Sequence, residues 1–413
     1  MSPGGSADAG PRAGRSAIVV GAGIVGATTA YELQKAGIAT TLIDADAPGM
    51  GCSYGNAGAI SPGSVAPLAM PGVLRSVLDM LRDPEGPLHV RPSYLPRALP
   101  WLLRFVAAAR PARVERIAAQ LHDLHRGAIE AHERLAREIG APELVQRRGH
   151  LHLYPDEHAL AKDAGSWSLR KRFGVSIAML DQQGILDLEP AVGPRYRIGL
   201  YLPDHAMVVN PHRYVERIVD AFRARGGRTA TDRVARVEAD GAGWTCRGTS
   251  AAWRADHLVI AAGVGSSALL APLGIRPPLE SQRGYHVTFT GVPSPTTRVV
   301  VLADRKAFTT PMEEGFRIAG TVEIAGVAPP PNPRRIAVLE RHARETFSTL
   351  AGAATRTWMG HRPCMPDTLP WIGPARGHRG LWYAFGHGHT GMTDAPGTAR
   401  RLKDAITGSR SNA

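Results

Sequence analysis

Cysteine is scarce. The chain has three in 413 residues, Cys52, Cys246 and Cys364, all far apart. No CxxC occurs, which argues against a thioredoxin-like motif or a cysteine zinc cluster. An odd, scattered set fits a reducing compartment rather than a disulfide framework. Lysine is nearly as rare: five lysines accompany forty-four arginines in a net charge of +13. A nucleic-acid footprint should cluster on one face. These arginines are dispersed, with no block of five like charges, so nucleic acid is not an expected partner and no metal site is expected. Long apolar runs are missing too. Residues 17–31 form the longest uncharged apolar stretch near the start. They are too short and too glycine-rich for the roughly 20 residues a membrane crossing takes. Residues 1–15 are small, polar and rich in Gly and Pro, and read as a loose tail without a secretory signal. A cytoplasmic location is expected.

What is present is an ordinary globular composition, 44% hydrophobic and 21% charged. At roughly 150 residues per domain, two or three folding units are expected. Residues 17–20 read as a β-branched strand, 27–36 as a helix ended by Gly37, and 40–44 as a second strand. From 53 to 111 Gly and Pro limit regular structure to short helices near 72–81 and 99–109. Ile117, Leu121, Leu124, Ala128, Leu135 and Ile139 predict one long amphipathic helix over 114–139. Further strands are expected near 150–154, 258–263, 285–290, 298–302, 316–321 and 381–385. Asn210 and Pro211 open a helix to about Arg225, and a last helix runs to about Thr407. The fold class is therefore α/β.

The clearest motif is Gly21, Ala22, Gly23, Ile24, Val25, Gly26, between a strand and a helix. Gly21 permits the tight turn, Gly23 lets the backbone approach a pyrophosphate, and Gly26 lets helix and sheet pack closely. The helix N-terminus presents free N–H groups to phosphates. Asp44 lies 23 residues after Gly21, where a carboxylate accepts from ribose hydroxyls and repels a 2′-phosphate. FAD and NAD share this motif, but FAD needs more of the chain. Two later segments suit it: the strand ending at Ala262 and Gly263, and the turn of Gly386, His387, Gly388, His389, Thr390 and Gly391. A helix starting there would aim its positive end at a flavin ring.

Together these residues resemble the flavoprotein family of D-amino-acid oxidases, glycine and sarcosine oxidases and bacterial D-amino-acid dehydrogenases, most of all the last. The resemblance spans nearly the whole chain. It rests on the first motif with Asp44, on residues 52–62 (CSYGNAGAISP), on Gly284 with Tyr285, on 360–367 (GHRPCMPD) with 370–373 (PWIG), and on 386–391. It implies a Rossmann-type FAD-binding domain (16–65, 205–270 and 355–408) and a second substrate domain on a mixed, mainly antiparallel sheet with helices (66–204 and 271–354). It implies that Ala45, Cys52, Ser53, Asn56, Ala57 and Gly58 follow the FAD, that Val234 offers a backbone contact near the adenine, and that Met392 and Thr393 join 386–391 against the flavin. Arg362 matches the family's carboxylate clamp, which suits a fork that is always charged. Tyr285 is a second carboxylate ligand, and His387 and His389 are candidates beside the flavin. Sarcosine oxidases carry a flavin-bonding cysteine where this chain has Gly360, so FAD is expected to be non-covalent, with Cys364 a packing residue.

The resemblance implies oxidative deamination of a D-amino acid, with hydride passing from the α-carbon to flavin N5 and electrons leaving to a quinone or other acceptor. Two alternatives stand beside it: a D-hydroxyproline (cis-4-hydroxy-D-proline) dehydrogenase, and the flavin subunit of an electron-transfer complex with a partner subunit. Residues 65–109, with Trp101, Leu102, Leu103, Phe105 and scattered arginines, are either a lid on the substrate domain or a peripheral contact with the inner face of the cytoplasmic membrane.

Overall fold

The computed structural model describes residues 16–83, 85–241 and 243–408, so the tail expected over 1–15 lies outside the described residues. The first motif folds as its spacing predicts. Ser16–Val20 is a strand with four successive buried residues, Ile24–Lys35 a helix, and Ala39–Asp44 the next strand. Such continuous burial is expected where helices cover both faces of a parallel sheet. Six strands order as Arg228–Thr231, Ala39–Asp44, Ser16–Val20, His257–Ile260, Leu381–Phe385 and Trp371–Pro374. All join in parallel except the last, which pairs antiparallel with its neighbour. The Ile24–Lys35 helix buries Ala27, Ala30, Tyr31 and Leu33 in a core shared with Met392, Ala395 and Leu402 of the Gly391–Thr407 helix.

The larger sheet has nine strands and is mixed, mostly antiparallel. Glu280–Thr290 is its spine. It pairs along all eleven residues with Ala354–Cys364 on one side, and with Gly315–Ile324 on the other. The expected boundary at 355 is therefore corrected. Residues 355–364 hydrogen-bond into the larger sheet, and the return to the smaller one begins at Trp371.

A second correction concerns 114–139. Two helices occur there, Pro111–His125 and Ala128–Glu138. They part at Gly127, whose φ of 69° ends helical geometry. The break lets Ile117 and Leu121 pack with Ala69 and Ala108, while Ile129 and Leu135 join the core beneath the six-stranded sheet. One straight helix could not serve both clusters. Asn210 caps the Pro211–Ala224 helix by accepting from Arg213 N, as its sequence predicts.

Candidate active site

At the first motif the chain approaches itself as closely as backbone allows. A Cβ on Gly21 would sit 2.3 Å from the Ala261 carbonyl oxygen, and one on Gly26 would sit 1.8 Å from that of Gly21. Gly21 also has φ of 109°, which favours glycine. The helix has Gly23 as its N-cap, with no side-chain cap. Ser53 Oγ accepts from Ile24 N at 2.8 Å, and Asp44 Oδ2 accepts from Ala22 N at 2.5 Å. Beside them lies a shallow, open hollow lined by Ala22, Leu42, Asp44, Asp46, Pro48, Arg223 and residues 229–231. Ala45 continues from Asp44. Val234 follows Thr231, whose Cα pairs with Asp44, so its backbone reaches the same end of the sheet. Ala262 presses on Gly21, while Gly263, with φ of 56°, has no neighbour within 4 Å of a would-be Cβ. These residues fit a dinucleotide: backbone donors, small residues and one acidic side chain meet at a helix N-terminus.

The loop after the hollow is tied to the larger sheet. Cys52 Sγ donates to the His361 carbonyl at 2.8 Å. Arg317, buried in the Gly315–Ile324 strand, donates to the carbonyls of Tyr54 (3.1 Å) and Asn56 (2.8 Å). Thr310 Oγ1 donates to the Ala57 carbonyl at 2.7 Å, and Val208 N donates to the Gly58 carbonyl at 2.7 Å. Burial pushes the Arg317 guanidinium down to about 10. Arg317 and Thr310 are contacts that sequence reasoning missed, because both depend on which strand lies beside the loop.

The turn at 386–391 meets the same sheet. Gly386 and Gly388 have φ of 88° and 55°, and Gly388 N donates to the Pro363 carbonyl at 2.9 Å. That stitch lies one residue from Arg362. Thr393 Oγ1 accepts from Ser61 N at 2.9 Å, and the Met392 carbonyl accepts from His132 Nε2 at 2.7 Å. Would-be Cβ positions place Gly391 against His387 Cβ and Val25. Asp394, fully buried in the first turn of the last helix, pairs with His125 at 2.9 Å and accepts from Thr390. Its own burial raises the carboxyl, but His125 and Thr390 more than offset this and hold it below the usual range.

Arg362 is where the motif predicts a clamp. Its guanidinium lies over Gly284, 2.2 Å from a would-be Cβ there. Nη1 donates to the Thr321 carbonyl at 3.0 Å and Nη2 reaches that of Gly320 at 3.5 Å. Thr321 has φ of 52°, rare for a β-branched residue. It sits where the pairing register of the two strands shifts, and such a bulge re-aims carbonyls and side chains. No carboxylate pairs with Arg362 among the described residues. Burial lowers its pKa. His389, on the 386–391 turn, keeps an exposed side chain. Enclosure, then Arg362, push its ring down to about 4.

Two expected roles are corrected. Tyr285 does not share a face with Arg362. Arg362 pairs with Gln282, and Tyr285 with Met359, three positions away. Successive strand residues point to opposite faces, so an odd offset reverses direction. The Tyr285 hydroxyl donates to Glu323, accepts from Asn332 N at 3.1 Å, and is buried with Leu339 and Ala343. Burial, then Glu323, push its phenol up to about 12. His387 is likewise turned inward. Its Nε2 is 2.9 Å from Thr398 Oγ1, and burial pushes the ring down to about 4. It supports the loop, and His389 is the histidine of this turn that stays exposed.

A dinucleotide crevice stitched to an unpaired guanidinium is the architecture of an oxidoreductase that holds a redox cofactor against an anionic substrate. A family described as FAD dependent oxidoreductase matches residues 16–405, and the chain belongs to it. FAD is thus its cofactor. The chain is 38% identical to a D-amino-acid oxidase of Bradyrhizobium diazoefficiens over 96% of both chains. It is 33% identical to a D-amino acid dehydrogenase of Rhodopseudomonas palustris, over 94% of this chain and 93% of that one. Its fold matches the glycine oxidase of Bacillus cereus at a TM-score of 0.75, with 16% identity over 96% of each chain. It also matches the L-proline dehydrogenase of P. horikoshii at 0.74, with 16% identity over 96% of this chain and 94% of that one.

Proposed function

We propose that this enzyme oxidatively deaminates D-amino acids. The observation that carries the reading is the Arg362 guanidinium, half-buried without a carboxylate and one residue from the stitch to the 386–391 loop. The relatives named for D-amino-acid oxidation supply the handedness. Residues 21–26, Asp44, Ala45, Ser53, Asn56, Ala57, Gly58, Val234, Ala262, Gly263 and 386–393 would hold FAD, in a unit built on the six-stranded sheet. The nine-stranded sheet would form the substrate unit. Held by these residues, FAD would supply a two-electron acceptor for hydride from the substrate α-carbon. Arg362 holds the α-carboxylate bidentately and orients that carbon. Neutral His389 adds no competing cation near Arg362. Attachment of FAD is non-covalent in this reading. Burial pushes the Cys364 thiol up to about 12, far from the thiolate that a covalent bond needs.

The electron acceptor in this reading is a quinone or another carrier. What supports a lipid-soluble carrier is the Leu95–Ala108 helix, whose Trp101 donates to the Cys364 carbonyl at 3.1 Å. Its other face exposes Leu95, Leu99, Leu103 and Val106, which suits peripheral contact with a membrane. No helix among the described residues is long and apolar enough to cross one.

Anaerobic bleaching of the flavin absorbance by D- and L-amino acids tests the reading. D-amino acids should bleach it and their L-enantiomers should not. Arg362→Leu should cut kcat/KM roughly 1,000-fold while FAD content is kept. Bleaching by neither set, or an Arg362→Leu variant with full kcat/KM, overturns it. After acid precipitation, flavin should stay in the supernatant. Reoxidation by a soluble quinone should outpace reoxidation by dioxygen, and faster peroxide formation would reassign the acceptor. Native protein found wholly in the high-speed supernatant at low salt rejects the membrane contact.

A further inference from the structure

Gln282 is a polar side chain with no task in the fold. It is 6% exposed, yet its amide joins no hydrogen bond among the described residues, and neither amide atom is sealed from solvent. A nearly enclosed amide left unanswered is unusual and costly. Other polar residues of the same strand are answered: Ser281 Oγ by His361 Nδ1 at 2.9 Å, Arg283 by Glu323 at 3.0 Å, and His286 by the Gly55 carbonyl at 3.2 Å.

Strand register puts this amide beside Arg362. The two residues are directly opposite in the antiparallel pair of Glu280–Thr290 with Ala354–Cys364, whose register is unbroken from end to end. Opposite residues share a face, with Cβ atoms about 4.5–5.5 Å apart. The Arg362 guanidinium marks that face, because it lies on Gly284, the next residue of the strand on the side of Gln282. The order along the face is guanidinium over Gly284, then Gln282, then Glu280 opposite Cys364. Cys364 meets the 386–391 turn: its Sγ lies 3.4 Å from a would-be Cβ on Gly388, and Gly388 N bonds the neighbouring Pro363 carbonyl. Gln282 therefore stands between the guanidinium and the turn. Tyr94 and Trp101 close the far end, the first donating to Glu280 at 3.2 Å and the second to the Cys364 carbonyl at 3.1 Å. Glu280 is engaged there, by Tyr94 and by Ser281 N at 2.9 Å. The Gln282 oxygen is a free acceptor next to the clamp. An α-amino acid held by its carboxylate at Arg362, with its α-carbon toward the turn, carries its amino group along this line. Arg362 can only donate, whereas an amino group needs an acceptor. An amide oxygen supplies one without a charge. A carboxylate in its place would close on Arg362 and block the clamp.

We propose that Gln282 is a second substrate ligand, whose amide oxygen accepts a hydrogen bond from the substrate amino group while Arg362 holds the carboxylate. The inference rests on the amino-acid reading above. Calorimetric titration of the FAD-loaded enzyme with 2-aminoisobutyrate and with isobutyrate tests it. Both carry the carboxylate, only the first carries an amino group, and that one has no α-hydrogen to lose. The readout is the ratio of the two dissociation constants, in which changes at the shared clamp cancel. Gln282→Met keeps the length and loses the amide, and should move the ratio about tenfold against 2-aminoisobutyrate. Gln282→Glu keeps the shape and adds a charge, and should move it the other way, because a carboxylate attracts ammonium. A merely structural role would weaken both ligands together and leave the ratio fixed. A fixed ratio in either variant that retains FAD overturns the proposal, and loss of FAD in both makes Gln282 structural and overturns it as well. A wild type that binds neither ligand also overturns it. Anaerobic bleaching decides the oxidation reading separately: D-amino acids that bleach the flavin while the ratio stays fixed leave that reading standing and remove only the role of Gln282. A ratio that moves as expected, in an enzyme no amino acid reduces, sustains the ligand and refutes the oxidation reading.

Discussion

Glycines do opposite work in the two sheets. At the six-stranded sheet, Gly21 and Gly26 remove Cβ atoms so that backbone can meet backbone, at would-be distances of 2.3 and 1.8 Å. At the nine-stranded sheet, Gly284 and Gly360 pair opposite each other, and side chains lie flat on them. The Arg362 guanidinium covers Gly284, and the Trp358 ring covers Gly360, 2.0 Å from its would-be Cβ. Backbone cannot retreat without breaking the sheet, whereas the end of a side chain can. The first pair therefore guards the fold and the cofactor, and the second sets the aim of a functional group.

Three substitutions break or sharpen this contrast. Gly26→Val should have the largest effect, because its Cβ meets the Gly21 carbonyl and nothing nearby can give way. The purified protein should be colourless or insoluble; a normal ratio of flavin to protein absorbance contradicts the close-packing account. Gly284→Ala should be mild for stability but not for substrate. The new methyl displaces only the end of a flexible side chain, so the melting temperature should hold while KM rises roughly tenfold from the misplaced guanidinium. Unchanged KM would mean that Arg362 is aimed by the Gly320 and Thr321 carbonyls alone. Tyr285→Phe should have the smallest effect on turnover, with kcat/KM within about twofold of wild type. It should lower unfolding free energy by about 1–2 kcal/mol, since Glu323 and Asn332 N each lose a buried partner. A large loss of kcat/KM with unchanged stability would return Tyr285 to the substrate.

The aromatic junction between the sheets adds to the contrast. His286 stacks on Trp358 at 5.3 Å, and its Nδ1 lies 3.2 Å from the Gly55 carbonyl. A Cβ on Gly55 would lie 1.8 Å from the Trp358 ring. The 52–58 loop is thus held mainly by side chains of the larger sheet, while residues 21–26 are held by close backbone packing on Ala261 and by the Asp44 and Ser53 side chains. The same cofactor site is fastened by backbone packing at one end and by side chains of the larger sheet at the other.

Sequence alone determined the α/β class, the glycine turn with Asp44 and the cap at Asn210. Each depends on backbone conformation or motif spacing within a short stretch, which neighbouring residues decide. Tertiary structure decided what lay beyond that reach. Gly127 ends a helix because two separate cores pull on its flanks. Residues 355–364 belong to the larger sheet because their hydrogen bonds go to Glu280–Thr290. Tyr285 turns from Arg362, and His387 turns inward where His389 does not. A strand residue's direction follows from register with partners tens or hundreds of positions away. A one-residue offset there reverses every side chain, and no local pattern carries that information.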